Sequence, residues 1–277
     1  MLTFEILKSS EIRKLRQADA LSAWVTPLRS AALEAGAAIL AVRRQAAEAT
    51  TYKADASPVT EADRAAHRCL SRALAALTPG WPVVSEEDEA SFVHRTGPGP
   101  YWLLDPLDGT KEFISGAADF TVNIALVERG RSRLGVVHAP ALGQTYWGGP
   151  GLGAWREEAG QAQAIAVAQP QPGAPCRVVA SKSHLDPRTE ALIARLGEVS
   201  LLQAGSSLKF CRVAEGAADI YPRLAPTCEW DTAAAQAVLE GAGGQVVDLN
   251  GQALRYGKAE VLNPFFIATR SLSLIPG

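Results

Sequence analysis

Two stretches in the first third of the chain carry apolar residues at helical spacing. Beyond them, short apolar segments cluster and alternate as strands do. Leu28, Ala32, Ala35, Ile39 and Val42 recur at steps of three and four, which puts them on one helix face. Thr26-Pro27 stands just before them, and a capping threonine followed by proline predicts the helix start there. Residues 1–20, with mixed charge and little periodicity, read as an N-terminal extension or irregular cover. After a loop over roughly 49–59, a second helix carries a continuous apolar face of Ala62, Ala65, Ala66, Cys69, Leu70, Ala73, Leu74 and Leu77. Thr60 and Asp63 at its amino end have capping-box spacing, with aspartate in place of the usual glutamate. Asp63 therefore has a purely structural reading beside any chemical one.

From 82 to 168 the pattern turns to strands: Pro82 to Ser85, Tyr101 to Asp105, Phe120 to Val127, Leu134 to His138, Thr145 to Trp147 and Ala154 to Arg156. Their short connections predict a largely antiparallel sheet. The glycines of Gly149-Pro150-Gly151-Leu152-Gly153 lack a following helix and read as a hairpin turn, not a nucleotide-binding loop. Residues 168–175, rich in proline and glutamine, look like a linker. Beyond it come a strand at 177–180, a helix near 187–197, a strand at 199–203, a helix near 206–216, a strand at 219–221 and a helix from Asp231. The expected organisation is an extension over 1–20, an α+β domain over 21–168 and an α/β domain over 169–277. No internal repeat is evident.

Composition narrows the function. With 277 residues the chain is long enough for a large core, and its net charge of −2 offers no basic field for nucleic acid. Glu5 and Lys8 interrupt the start, leaving no apolar stretch of a secretory signal. The longest uncharged stretch, Leu134 to Trp155, is broken by Pro140, Gly143 and Gly148-Gly149-Pro150-Gly151, so no transmembrane segment is expected. A soluble, cytoplasmic protein is the expectation. Cys69, Cys176, Cys211 and Cys228 are far apart and read as reduced, and His67, His94, His138 and His184 show no zinc spacing.

The chemistry concentrates in Asp105-Pro106-Leu107-Asp108-Gly109-Thr110-Lys111-Glu112-Phe113. Asp105 stands where an apolar strand should end, Pro106 cannot extend a central strand, and Gly109 permits a sharp turn. Asp-Gly is also an ordinary turn dipeptide. Here, however, two carboxylates would face one small volume, where they repel unless a cation lies between them. Further acids stand at comparable places: Glu86-Glu87 after a short strand, Asp231 at the start of an alanine-rich helix, and Asp63.

These four blocks, in this order, resemble the inositol-monophosphatase-like superfamily of metal-dependent, lithium-sensitive phosphatases, over roughly 25–270. The resemblance implies an αβαβα layered sandwich, an α/β (α+β) fold of the inositol monophosphatase and fructose-1,6-bisphosphatase type. Lys111-Glu112-Phe113 resembles the 3'(2'),5'-bisphosphate nucleotidase branch, since inositol monophosphatases usually carry Thr-Asn-Phe there. The stretches 57–60, 85–88, 120–125, 205–211 and 221–223 agree, as does Pro226-Thr227 before Glu229-Trp230-Asp231. The implied substrate is adenosine 3',5'-bisphosphate, cleaved to AMP and phosphate. The alternatives are an inositol-1-phosphate or sugar-phosphate monophosphatase and, more remotely, a non-catalytic metal- or nucleotide-binding regulator.

Carried over residue by residue, the resemblance implies one Mg²⁺ on Glu86, Asp105 and the Leu107 carbonyl, and a second on Asp105, Asp108 and Asp231. Two or three ions per site are expected, with Mn²⁺ as a substitute. It further implies an in-line attack by metal-activated water without a phosphoenzyme, the water being deprotonated through Thr110 and Asp63. Glu87 would orient the metal ligands, and Gly109 and Thr110 would offer backbone N–H groups to phosphate. Gly205, Ser206 and Ser207 are expected at the ribose or phosphate, Lys209 and Arg223 at the second phosphate, and Trp230 in packing. The oligomeric state has no sequence signal.

Overall fold

The run Tyr101-Trp102-Leu103-Leu104 is apolar at every position because both of its faces are covered. In the computed structural model, which describes residues 9–48, 58–97, 99–170, 173–181 and 186–276, the first two elements are long helices, Ser9–Glu48 (α1) and Pro58–Leu77 (α2). Val83–Ser85 (β1) and Tyr101–Asp108 (β2) follow, then a short helix, Thr110–Ile114 (α3). Thr121–Glu128 (β3), Arg131–Ala139 (β4), Gln144–Gly149 (β5), Gly153–Glu158 (β6) and Gln161–Ile165 (β7) complete a seven-stranded sheet in chain order. β1 pairs with β2 in parallel, and the remaining neighbours are antiparallel, as short connections dictate. Trp102 and Leu104 join the core under α1 and α2, whereas Tyr101 and Leu103 join the core on the opposite face.

The second half alternates strand and helix: Cys176–Ser181 (β8), Pro187–Ala194 (α4), Val199–Ala204 (β9), Leu208–Ala214 (α5), Ile220–Arg223 (β10), Trp230–Gly241 (α6), Gln245–Asp248 (β11) and Phe266–Thr269 (β12). Its five strands lie in the order β11-β12-β10-β8-β9. α5 and α6 form the layer between the two sheets. There Phe210, Cys211, Val213, Ala233, Ala234 and Val238 share one core with Leu103, Ala125 and Val137 of the first sheet and Val179, Tyr221 and Phe266 of the second. α4 covers the outer face of the second sheet through Ile193. The layers therefore run helix, sheet, helix, sheet, helix, the αβαβα sandwich that the resemblance implies.

The alanines of α6 explain its position. A Cβ placed on Gly135 of β4 would lie 1.9 Å from the Ala234 carbonyl oxygen, and one on Gly241 would lie 2.4 Å from the Gly153 carbonyl oxygen. Small residues on both surfaces let this helix lie almost on the strand backbone, and it carries Asp231 at its first turn.

Three local expectations are corrected. Residues 9–20 are helical, not an irregular cover, and α1 runs through Pro27 where a start was expected. Proline removes one ladder donor, but Leu21 and Trp24 before it reach the same core as Leu28, Ala32, Ala35, Ile39 and Val42 after it, and that burial holds the helix together. The segment Ala20–Ala46 is long and apolar enough to cross a membrane by length and composition alone. Its apolar stripe packs against α2 and the first sheet, as a core helix does. α2 begins at Pro58, so Thr60 lies inside the first turn and not ahead of it. The loop expected at 49–59 falls, over 49–57, outside the described residues. Finally, β2 continues through Pro106 to Asp108, because the register slips between the pairs Asp105↔Asn123 and Asp108↔Thr121. A bulge tolerates proline, since its residues make no ladder pair.

Candidate active site

The bulge in β2 does what a turn was expected to do. Asp105 is buried, and its Oδ1 accepts the Leu107 N–H at 3.1 Å, curling the backbone so that Asp108 emerges at the strand end. Gly109 then adopts φ 93°, in the left-handed region that glycine enters without strain, and hands the chain to α3. A Cβ there would lie 3.1 Å from the Phe120 Cα, so the position is closed to larger residues on two grounds. Thr110 is exposed at the first turn of α3.

Five carboxylates answer one another around this point. Burial raises Asp105 well above the ordinary range, and Asp108, Glu86, Asp231 and Asp63 raise it further. Burial lifts Asp231 to about 7, helped by Asp108 and Glu86. Burial also lifts Asp63 to about 7, with Glu87 and Glu86 adding to the effect. Glu86 and Asp108 are raised too, chiefly by burial. Asp63 comes from α2, Glu86 from the end of β1, Asp105 and Asp108 from β2 and Asp231 from α6, so the constellation draws on both halves of the chain. Among the described residues no three acids, histidines or cysteines already converge at coordinating distance; the carboxylates line one volume without closing on it. The donor set is all oxygen and mutually repelling, which suits a hard divalent cation.

The remaining expected residues divide. A cleft of about 370 Å³ is lined by Asp108, Gly109, Thr110, Ser206, Lys209, Arg223 and Asp231, among others. Lys209 is buried there, with its ammonium 5.5 Å from the centre of the Tyr221 ring. Burial lowers it to about 8 against the pull of Asp108, and Arg223 lowers it further. Arg223 donates to the Pro226 carbonyl at 3.2 Å. Gly205 does not line the cleft; its N–H donates to Asp119 Oδ2 at 3.1 Å, and a Cβ there would meet the Asp119 carbonyl oxygen at 2.6 Å.

Ser207 also lines the cleft. Its side chain is buried and its hydroxyl is spent on Asn123 Oδ1 and Thr121 Oγ1, each at 2.8 Å, while its N–H donates to Asp108 Oδ2 at 2.6 Å. A hydroxyl with both partners inside the protein braces the site, beside Ser206 in the same cleft lining. The expected Thr110–Asp63 pairing is not formed as a hydrogen bond. Glu87 stays exposed and acts on its neighbours only through charge. Trp230 is buried and packs against Phe92, the rings tilted by 35° with centres 5.1 Å apart, as expected.

Sequence reasoning assigned no role to Thr121, Asn123, Asp119 or Glu229. The first two carried a signal: polar residues two apart in an otherwise apolar strand share one face. Glu229, fully buried, accepts from Arg95, Lys258 and the Gly257 N–H and holds the start of α6.

A mixed five-layer sandwich with a carboxylate cluster at a strand bulge defines a class, and comparison places the chain in it. The Inositol monophosphatase family matches residues 21–272, and the chain belongs to that family. Divalent-metal dependence is general in the family. The chain is 49% identical over 218 residues to the 3'(2'),5'-bisphosphate nucleotidase CysQ of Salmonella typhimurium, covering 78% of this chain and 87% of that protein. The CysQ of Escherichia coli K12 is also 49% identical, over 215 residues, covering 77% and 86%. Among solved structures, CysQ from Bacteroides thetaiotaomicron superposes with a TM-score of 0.79 at 40% identity, covering 89% of this chain and 97% of that one.

Proposed function

We propose that this chain is a 3'(2'),5'-bisphosphate nucleotidase that hydrolyses adenosine 3',5'-bisphosphate to AMP and phosphate. One observation carries the reading: a single cleft gathers two carboxylates, Asp108 and Asp231, and two cations, Lys209 and Arg223. A substrate with two phosphates uses both kinds of group. The 3'-phosphate would lie by the carboxylates with their cations, and the 5'-phosphate by Lys209 and Arg223. The similarity to proteins named as bisphosphate nucleotidases supports the same substrate.

Glu86, Asp105, Asp108, Asp231 and the Leu107 carbonyl would hold Mg²⁺, which when bound neutralises phosphoryl oxygens and acidifies water. The chain's own groups then handle position and protons. Thr110, exposed at the head of α3, orients the attacking water, and Gly109 with Thr110 presents N–H groups to the phosphate. Asp63, near 7, is poised to serve as the proton acceptor at neutral pH. The bond from phosphorus to the ribose 3'-oxygen breaks as the new bond to water forms, and solvent protonates the departing oxygen. No side chain is offered as a covalent nucleophile. The enzyme is read as soluble and cytoplasmic.

The test is phosphate release from adenosine 3',5'-bisphosphate and from inositol 1-phosphate with Mg²⁺, with and without lithium. Faster turnover of the nucleotide, inhibited by lithium, is expected. Faster turnover of the inositol ester overturns the substrate reading.

A further inference from the structure

Asp108 is held by a hydrogen-bond chain that begins in the neighbouring strand, in the polar positions of β3. Thr121 Oγ1 lies 2.8 Å from Ser207 Oγ, and Ser207 Oγ donates to Asn123 Oδ1 at 2.8 Å. Because the serine proton goes to Asn123, the Thr121 hydroxyl donates to the serine, and the chain has one direction. Fixing Asn123 Oδ1 fixes which way its amide points, and Nδ2 faces Asp108 Oδ2 at 3.5 Å. The Ser207 N–H reaches the same oxygen at 2.6 Å. Both donors engage Oδ2, so among the described residues Oδ1 has no protein partner. Thr121, Asn123 and Ser207 are buried, where an unmade hydrogen bond costs most and each bond polarises the next.

We propose that Asn123 and Thr121 are positioning residues. Directly and through Ser207 they lock the Asp108 carboxylate with Oδ2 turned to the protein, which leaves Oδ1 as the oxygen that would be offered to a cation. They also tie the Gly205–Ser207 loop of the second half to the first sheet, so the metal-facing carboxylate and the substrate loop move as one unit. The inference rests on the metal reading above, and it adds a cause for Asp108's orientation that lies outside the ligand set.

The measurement is Mn²⁺ affinity of the purified full chain by electron paramagnetic resonance titration, alongside Tm without metal. Asn123→Ala removes the amide and Thr121→Val removes the hydroxyl at constant shape. Loss of partners that orient a metal ligand typically weakens metal binding about 10-fold or more, and both variants should show that loss. Thr121→Ser keeps the donor and should restore the wild-type affinity. A merely structural role would lower Tm and leave the affinity of the folded fraction unchanged. If Asn123→Ala does not fold, Thr121→Val against Thr121→Ser decides. Wild-type affinity in folded Asn123→Ala or Thr121→Val overturns the inference alone. A wild-type protein that takes up no Mn²⁺ overturns the metal reading and this inference together.

Discussion

The Arg95 guanidinium donates to the Glu229 carboxylate at 2.9 Å, with only 4% of one side chain and none of the other exposed. Arg95 lies in the 3-10 turn Glu89–Thr96 that follows the Glu86-Glu87 pair, and Glu229 immediately precedes Trp230 and Asp231. The ion pair therefore joins the two segments that carry Glu86 and Asp231. Phe92 on Trp230 reinforces the same junction, and Lys258 completes the neutralisation of Glu229.

Removing one partner of such a pair leaves a buried charge uncompensated, at a cost of about 3–5 kcal/mol. Glu229→Ala, which strands the buried Arg95, should lose that much in urea unfolding, and Arg95→Ala less, because Lys258 stays paired with Glu229. The double variant should lose much less than the sum. Additive losses would mean that the pair is not coupled.

Gly135→Ala tests the close seating of α6. The new methyl would stand 1.9 Å from the Ala234 carbonyl oxygen, a backbone atom that cannot swing aside. Overpacking of this kind costs about 1–3 kcal/mol, so Tm should fall. Turnover should fall with it, because Asp231 is carried on the displaced helix. An unchanged Tm would show that the helix tolerates a shift.

Asp105→Asn should abolish phosphate release while leaving the fold intact. Asp105 is raised by its burial and by four neighbouring carboxylates, so a neutral isostere relieves repulsion, and Tm of the metal-free protein should hold or rise. Retained turnover would remove Asp105 from the metal site.

The pH dependence follows from the same repulsion. Asp63 and Asp231 move from an ordinary 3.8 up to about 7, so the folded metal-free protein binds more protons than the unfolded chain in that window. Their contribution is fully present below about 4 and is lost as pH rises through about 7. Tm in chelator should therefore carry a component that falls between those limits. Mg²⁺, which binds the ionised carboxylates, should raise Tm more at about pH 8 than at about pH 5. Equal stabilisation at both values would separate the carboxylates from the metal.

Much of this was legible from residue order. The Asp105 to Phe113 run, Glu86-Glu87 and Asp231 each sit at a strand end or helix start that periodicity marks out. Both β2 and α6 formed where their apolar patterns pointed. The start of α2 was misplaced because proline at 58 opens the helix two residues earlier than Thr60 would. The break expected at Pro106 became a bulge, because β3 pairs with β2 again at Asp108 and holds it in the sheet past a residue that cannot pair. The partners of Ser207 were hidden for a similar reason: a hydroxyl in a loop gives no sign of the strand it bonds to.

The sequence by itself determined the chemical identity of the site: which acids, in what order, on which kinds of element. Local pattern suffices there, since helix and strand periods and turn chemistry act over a few residues. Tertiary structure alone decided which atoms of those acids face the cleft. Asp108 owes its orientation to Asn123 in the next strand and Ser207 nearly a hundred residues on, and Asp231 owes its place to glycines that admit α6 onto the sheet. Such contacts depend on distances between segments far apart in the chain, which residue order does not encode locally.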